Sequence, residues 1–543
     1  MKRFAALLLA VALILPACAG REDTAVPDSY DIVIYGGTAA GVIAAAQAVK
    51  LGRSAVLIEP GRHLGGLTTG GLGATDIGNK SAIGGLSREF YRRISEYYSA
   101  DSAWRYEKRE EYQSNRGDDV DERYMWTFEP HVAEKIISGL IEEAGVAVVF
   151  GEHLDLDSGV EKQEDRITSI RMESGRLFRG KMFIDASYEG DLLALAGVSY
   201  HVGREANAQY GETLNGVQTA NAVYHQFNNP VSPYLEPGNP SSGLLPGIDP
   251  AGPGEEGAGD KRLQAYNFRM CLTDVPENRI PFEKPGSYEP LRYEPLLRYF
   301  EAGYESIPWG PTRMPNRKTD TNNRDGFSTD FIGESYTYPE ADYDIRQNIV
   351  QRHLEYQKGL MWCLANEPRV PAKIREEVSR WGLARDEFQD NGGWSQQIYV
   401  REARRMIGSY VMTQHNCQGR EVAPDPVGMA AYTMDSHNVQ RYVDRQGQLR
   451  NEGDVQVGDF PPYPISYRAI IPQTGECGNL LVPVCLSATH ISYGSIRMEP
   501  VFMVLGQSAA TAAAQAIDEN KSVQEIDYAR LKESLLSQGQ VLQ

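Results

Sequence analysis

Two sets of residues in this sequence can do chemistry, and they lie far apart along the chain. The first acts through the backbone. Gly36-Gly37-Thr38-Ala39-Ala40-Gly41 places glycine at the outer positions of a G-x-G-x-x-G turn, with Thr38 in the middle one. Such glycines allow a tight turn, close approach of the main chain to a pyrophosphate, and close packing of helix on strand. Glu59 follows where a carboxylate accepts hydrogen bonds from ribose hydroxyls. A second cluster, Gly65-Gly66-Leu67-Thr68-Thr69-Gly70-Gly71-Leu72-Gly73, can bring amides and small side chains against phosphate and a planar ring. The second set acts through side chains. His490 and His437, the latter beside Asp435, are imidazoles able to take a hydroxyl proton. Arg468 and Arg497 suit a carboxylate or an oxyanion. Glu499 follows Arg497 in the same turn, and Asn267 and Arg269 are candidates for the wall of a substrate cavity.

The first set needs a strand, a turn and a helix in that order. Tyr30 to Tyr35 is an apolar run suited to a strand buried on both faces. Val42 to Leu51 is Ala-rich and helix-prone and stops at Gly52; Ala55 to Ile58 is a second short strand ending in Glu59. The helix N-terminus at 38–41 then offers unpaired N–H groups and positive dipole to a pyrophosphate. A nicotinamide-binding turn has no need of the second glycine cluster, so the βαβ unit, Glu59 and that loop together favour FAD over NAD. Residues 130–144 have helical spacing, Val146 to Phe150 reads as a strand, 153–184 as an antiparallel meander, and Met182 to Ala186 as a further buried strand. Residues 229–260 are rich in Pro, Gly and Ser and read as loop; 312–345 are polar and turn-rich. Helices are expected at 346–363, 370–387 and 499–517, and the charged REARR at 401–405 as a solvated or inter-domain helix face.

Several segments resemble the bacterial FAD-dependent oxidoreductase family of the glutathione-reductase-like flavoprotein superfamily. They are YGGTAAG (35–41), VLIEPGRHLGGLTTGGLGATD (56–76), FEPHVAEKI (128–136), DASYEGDLLALAGVSYHVGRE (185–205), YVREARRMIGSYVMTQ (399–414), YTMDSHNVQRYV (432–443) and LLVPVCLSATHISYGSIRMEPVFMVLGQSAATAA (480–513). The resemblance runs in patches over 30–515 and is thinnest between 205 and 390. It implies that Gly36, Thr38, Ala40 and Gly41 face the pyrophosphate and Glu59 the ribose. Gly65, Gly66 and Thr68 line the phosphate–flavin side, and a backbone group near His153 meets adenine. Asp185, Ala186 and Ser187 close the pocket, and Ser495 and Ile496 present N–H groups to the pyrimidine end of the flavin at the mouth of the last helix. Thr38 departs from the pattern by adding a side chain where backbones crowd. No histidyl-flavin pattern is visible and no CxxC occurs, so FAD is expected to be non-covalent and disulfide reduction is not expected. There is no HExxH, so no metal is expected.

With 543 residues the chain is too long for one core, which stops growing at roughly 250–300 residues. The expected fold class is α/β: a Rossmann-like FAD-binding domain, with parallel sheet and antiparallel meander, from residues 30–205 and 470–535, and an inserted α+β substrate or cap domain from 206–469. Lys2-Arg3, the apolar run Phe4 to Leu15 and Pro16-Ala17-Cys18 read as a signal peptide over 1–17 with a lipobox-like end, followed by a polar tether over 18–29. The protein is therefore expected in the cell envelope, periplasmic or on the outer membrane, touching membrane only through a lipid on Cys18. A formal charge of -19 repels phosphate backbones, which argues against nucleic acid. Cys271, Cys363, Cys417, Cys477 and Cys485 are too sparse for a disulfide framework. The expected function is hydride transfer between FAD and a small organic molecule, a sugar or sugar acid being one class, with the electron acceptor not identified. Two rivals are a glycan lyase or hydrolase with a structural or transiently used flavin, and a glycan-binding lipoprotein without catalysis.

Overall fold

Strand β1 (Ser29–Tyr35) runs directly into the glycine turn, and helix α1 (Ala39–Lys50) begins where the turn ends. Thr38 caps that helix: its hydroxyl accepts from the Gly41 amide at 3.3 Å. Alanines make most of α1, and Gly52, at φ +75°, takes the left-handed turn that lets the chain return as strand β2 (Ala55–Glu59). These elements belong to a computed structural model that describes residues 29–114 and 123–543; the signal peptide, Cys18 and the tether up to residue 28 lie outside the described residues.

A seven-stranded sheet is built on this unit. Helices α2 (Gly85–Tyr98) and α3 (Pro130–Ala144) lead to β3 (Ala147–Phe150), which pairs with β2 in parallel. Pro130 opens α3 at a position whose N–H would be unpaired, and Gly145, at φ +69°, closes it. The meander follows as β4 (Val160–Gln163), β5 (Arg166–Arg171) and β6 (Leu177–Asp185), antiparallel among themselves. The far half of β6 pairs in parallel with β1, and with Leu480–Leu481 on its other side. The strand order is β3-β2-β1-β6-β5-β4, with β1 between its two parallel neighbours. The carboxyl ends of β1, β2 and β6 therefore converge where the glycine turn sits, as expected for a ligand crevice of a doubly wound sheet.

A second sheet of five antiparallel strands comprises Met270–Thr273, Arg279–Ile280, Trp309–Met314, Lys318–Asn323 and Gly382–Ala384. Two strands here depart from the sequence reading. Lys318–Asn323 lies in the stretch read as turn-rich, yet Lys318, Thr319, Asp320 and Thr321 are all buried. Its polar side chains are paired inside the protein, so the usual alternation of apolar and polar residues is missing. The helix expected over 370–387 ends at Ser379, because Gly382 and Leu383 pair with Thr273 and Leu272. The helix Tyr343–Asn366 covers this region, and Gln357 ties it to both the amide and the carbonyl of Phe268. One continuous apolar core contains residues from both sheets, among them Ile32, Leu57, Met270, Leu272 and Tyr356. All five described cysteines are buried free thiols.

The helix Glu499–Glu519 is the other long element at the first sheet. It is buried along nearly its whole length and packs on α1. Gly506 permits this, since a β-carbon there would stand 2.3 Å from the Ala40 carbonyl oxygen. Gly506→Ala should therefore force the two helices apart and destabilise the protein by about 1–3 kcal/mol. Urea unfolding followed by circular dichroism would check this; a variant as stable as the parent would show that the helices are not held at that distance.

Candidate active site

The glycine turn is held by backbone contacts that only glycine allows. Gly36 has φ +100°, and a β-carbon there would lie 2.6 Å from the Ser187 amide nitrogen; at Gly41 it would lie 1.9 Å from the Gly36 carbonyl oxygen. The two outer glycines thus serve the tight turn and the helix–strand approach. Thr38 takes the middle position with an ordinary φ of -62°, and its hydroxyl donates to the Ala186 carbonyl at 2.7 Å. That side chain binds the turn to the end of β6 as well as capping α1, which accounts for its tolerance there. The second glycine cluster docks beside the first: the Gly65 amide donates to the Gly37 carbonyl at 2.7 Å.

A cavity of about 250 Å³ opens on these loops. Gly36, Thr38, Glu59, His153 and Ser187 line it, with Tyr188 and the segment Gln396–Ile398 on another wall. Glu59 holds the amides of Gly37 and Gly61 on its two oxygens, at 2.7 and 2.6 Å. Burial pushes its carboxyl up to about 7, against those amides, which lower it. An acceptor carboxylate at the end of β2 beside the amides of a glycine turn is what an adenosine ribose and a pyrophosphate require, and the residues fit a dinucleotide. Ala40 and Gly41 form the helix end behind this wall. Asp185 and Ala186 lie beneath it: Asp185 accepts from the hydroxyl and amide of Ser187 and from the Leu193 amide, which shapes the turn. The His153 carbonyl accepts from the Glu173 amide, and its ring packs on Tyr343.

A second cavity, of about 260 Å³, is lined almost wholly by polar groups. Tyr399 lines it, directly after the Gln396–Ile398 wall of the first cavity, so one short segment divides the two. The glycine cluster reaches it as well, since the Ala74 amide donates to Asp320, the same carboxylate that holds Arg269 through Nε and Nη2 at 2.6 and 2.7 Å. His437 faces this cavity with Nδ1 against Asp330 at 2.8 Å and Nε2 3.7 Å from Asp435. Burial raises Asp330 and Asp435, but Arg401 with His437 outweighs it at the first and His437 with Arg497 at the second, and both carboxyls lie below their ordinary range. Arg497 donates to the Tyr399 hydroxyl at 2.6 Å, and the tyrosine ring has Arg401 and Arg497 at 4.7 and 5.5 Å from its centre. Of the expected substrate residues, His437 and Arg269 line the cavity, Arg497 stands behind Tyr399, and Asn267 braces Asn322 from behind.

Several lining residues were not singled out from the sequence, among them Asp76, Asn323, Tyr399 and His225. His225 has φ +48°, rare for a residue with a side chain, and its Nδ1 sits 2.7 Å from Asp454. The amide of Asn451 holds its carbonyl at 2.8 Å, which keeps the backbone in that conformation. Burial lowers its pKa and Asp454 raises it, with a net rise. It lies where resemblance is thinnest, and no sequence spacing links it to Asp454.

Other expectations change. Arg468 is not at the cavity: it is 42% exposed, pairs with Asp425 at 2.9 Å and stacks on Tyr410. His490 is buried behind it, between Glu402 at 2.8 Å and the Ser436 hydroxyl at 2.9 Å. Ser495 and Ile496 end a separate short helix, His490–Ile496, rather than opening the last one, which Pro500 starts at Glu499. The Ser495 hydroxyl is taken by Tyr463 and by the Tyr432 carbonyl. REARR is neither helical nor solvated: Arg401, Glu402, Arg404 and Arg405 are buried, with Asp330, His490, Asp191 and Glu205 as partners. Glu129, His131 and Glu387 also gather within 4.8 Å, but the Lys318 ammonium already stands among them, 2.8 Å from Glu129.

Glu499 joins the glycine cluster to the last helix. Its carboxyl accepts from the hydroxyls of Thr68 and Tyr188, both at 2.7 Å, and the Tyr188 hydroxyl in turn accepts from the Leu67 amide. Burial pushes the group from 4.5 up to about 7, only partly offset by those donors. Folded protein then keeps a proton that unfolded chain has released, so this group makes stability fall as pH rises from 4.5 to about 7. Glu499→Gln should flatten that slope in the cofactor-free protein, with a relative gain at pH 8 on the order of 3 kcal/mol at most. Urea unfolding at pH 5 and pH 8 measures it; identical slopes for parent and variant would refute it.

Residues 31–535 match the model of the family described as FAD dependent oxidoreductase. No curated protein matches the chain. Among solved structures, L-amino acid deaminase from Proteus vulgaris aligns with TM-score 0.24 and 16% identity over 34% of this chain and 61% of that one. OxyS anhydrotetracycline hydroxylase from Streptomyces rimosus aligns with TM-score 0.23 and 17% identity over 33% and 36%. The chain therefore spans less than two thirds of either structure, and the likeness is to a fraction of the fold. The family match extends over both cavities and every element that frames them. The chain belongs to the FAD dependent oxidoreductase family, whose cofactor is FAD.

Proposed function

We propose that this protein transfers hydride between a small hydroxylated molecule, a sugar or sugar acid, and non-covalently held FAD. The observation that supports this most is the polar cavity with its His437–Asp330 pair, set one short segment from the dinucleotide cleft. FAD, when bound, supplies the two-electron acceptor or donor. Glu59 and the turn at Gly36–Gly41 would hold its adenosine and pyrophosphate, and Thr68 would stand at the flavin side. His437 takes the hydroxyl proton through Nε2, and Asp330 orients the imidazole through Nδ1. Arg269 supplies a donor to a substrate oxygen, Arg497 holds the Tyr399 hydroxyl, and Tyr399, with Arg401 and Arg497 beside its ring, stands on the cavity wall next to the cleft segment. Residues 30–205 and 470–535 would form the FAD part and 206–469 the substrate part, with the site at their junction. Lys2 to Cys18 support export and a lipid anchor at Cys18.

Purified protein should show the visible bands of an oxidised flavin, and one member of a sugar and sugar-acid panel should bleach them anaerobically. His437→Ala should keep the bands but slow bleaching by about 10²–10⁴-fold. A colourless protein that takes up no FAD on reconstitution would overturn the reading, and turnover of a glycan with no acceptor consumed would favour a lyase instead. Mass spectrometry of the membrane-extracted protein should find Cys18 as a lipid-bearing first residue; an N-terminus at Met1 would remove the anchor.

A further inference from the structure

Charge and unmet hydrogen bonds at the second cavity narrow the substrate class, on the reading that this cavity holds the substrate. Arg269, Arg401 and Arg497 approach it, and each is already matched to a carboxylate: Asp320 at 2.6 Å, Asp330 at 2.9 Å and Asp435 at 3.5 Å. His225 and His437 are likewise matched, to Asp454 and to Asp330. Asp76 adds a further carboxylate on the lining. Five carboxylates thus stand about the cavity, and each of the three arginines is already matched to one of them. A bound carboxylate would find no unmatched arginine among these three, and a partly buried unbalanced charge is costly.

The unmet groups point the same way. Arg269 is 2% exposed and Asn323 7% exposed; both line the cavity, and neither Arg269 Nη1 nor Asn323 Nδ2 has a hydrogen-bond partner. Buried donors of this kind are normally satisfied. Arg269 offers one nitrogen, because Asp320 occupies the other two in a bidentate pair. It cannot also grip a carboxylate through a fork of two bonds, but one N–H suits one hydroxyl or ether oxygen. The aspartates at 76 and 435 are acceptors, which hydroxyl groups can serve and carboxylate ligands cannot. We propose that the cavity selects an uncharged polyhydroxylated molecule, a pyranose or an alditol, with oxygens accepting from Arg269 and Asn323 and hydroxyls donating to Asp76 and Asp435, and that it rejects the corresponding acids.

Titration calorimetry of the oxidised, FAD-loaded protein at pH 8 tests this without turnover. The probes are neutral aldohexoses and hexitols against their matched uronic and aldonic acids. At least one neutral compound should bind about tenfold or more tightly than its acid. Asp76→Asn, close in shape to the parent residue, should narrow that gap by improving the acid. Asn323→Ser should weaken the neutral compound by about tenfold, with the flavin spectrum and thermal melting unchanged as controls on the fold. An acid that binds as tightly as its neutral partner, or no binding in either series, would overturn the proposal. Flavin bleaching by an acid or by another molecule would then leave the oxidoreductase reading intact and this selectivity rejected.

Discussion

The cofactor side of this protein depends on one constraint, the approach of three backbone segments at glycines where no β-carbon fits. The turn after β1, the end of β6 and the second glycine cluster meet so closely that a β-carbon at Gly36 would strike the Ser187 amide. Hydrogen bonds lock the arrangement: Gly65 to Gly37, Thr38 to Ala186, and Gly37 to Glu59. The last of these also fixes the carboxylate in place before any ribose arrives. Sheet order, helix α1 and the long helix Glu499–Glu519 all follow from the need to hold that junction, since Gly506 lets the long helix press α1 from behind.

The substrate side is organised by paired charges. Arg401, Asp330, His437, Asp435 and Arg497 form one buried chain around Tyr399, and Arg269 joins it to the glycine cluster through Asp320 and Ala74. Burying so many charges adds little net stability, because desolvation offsets most of their attraction. Their effect is orientation: each imidazole and guanidinium has one position set by its carboxylate. Preset donors and acceptors of this kind need no rearrangement when substrate binds.

The two sides share one connection. The segment from Ser395 to Tyr399 presents Gln396–Ile398 to the cofactor cleft and Tyr399 to the polar cavity, and the Ser395 hydroxyl grips the Gly70 carbonyl at 2.6 Å. Glu499 ties the same glycine cluster to the last helix through Thr68 and Tyr188. The glycine cluster is thus tied by hydrogen bonds to the segment that both cavities share and to the last helix.

Sequence alone was enough for the parts whose physics is local. Glycine at 36 and 41, the alanine-rich α1, the capped ends of α3 and the period-two meander are set by backbone freedom and by near-neighbour contacts, and the cofactor-binding unit was legible from them. His437 was reachable as a residue type in a resembling segment, and Arg269 as a polar residue of a stretch that could equally be a strand of the substrate domain. What only the tertiary structure decided is which distant charges meet. Nothing in the chain's order links His225 to Asp454, Arg269 to Asp320 or Arg401 to Asp330, and a buried strand of polar residues, Lys318–Asn323, carries no alternation by which to find it. The same reason drew REARR inward: its charges are buried where folding brings each a partner, and that pairing is a property of the assembled sheets rather than of any stretch of sequence.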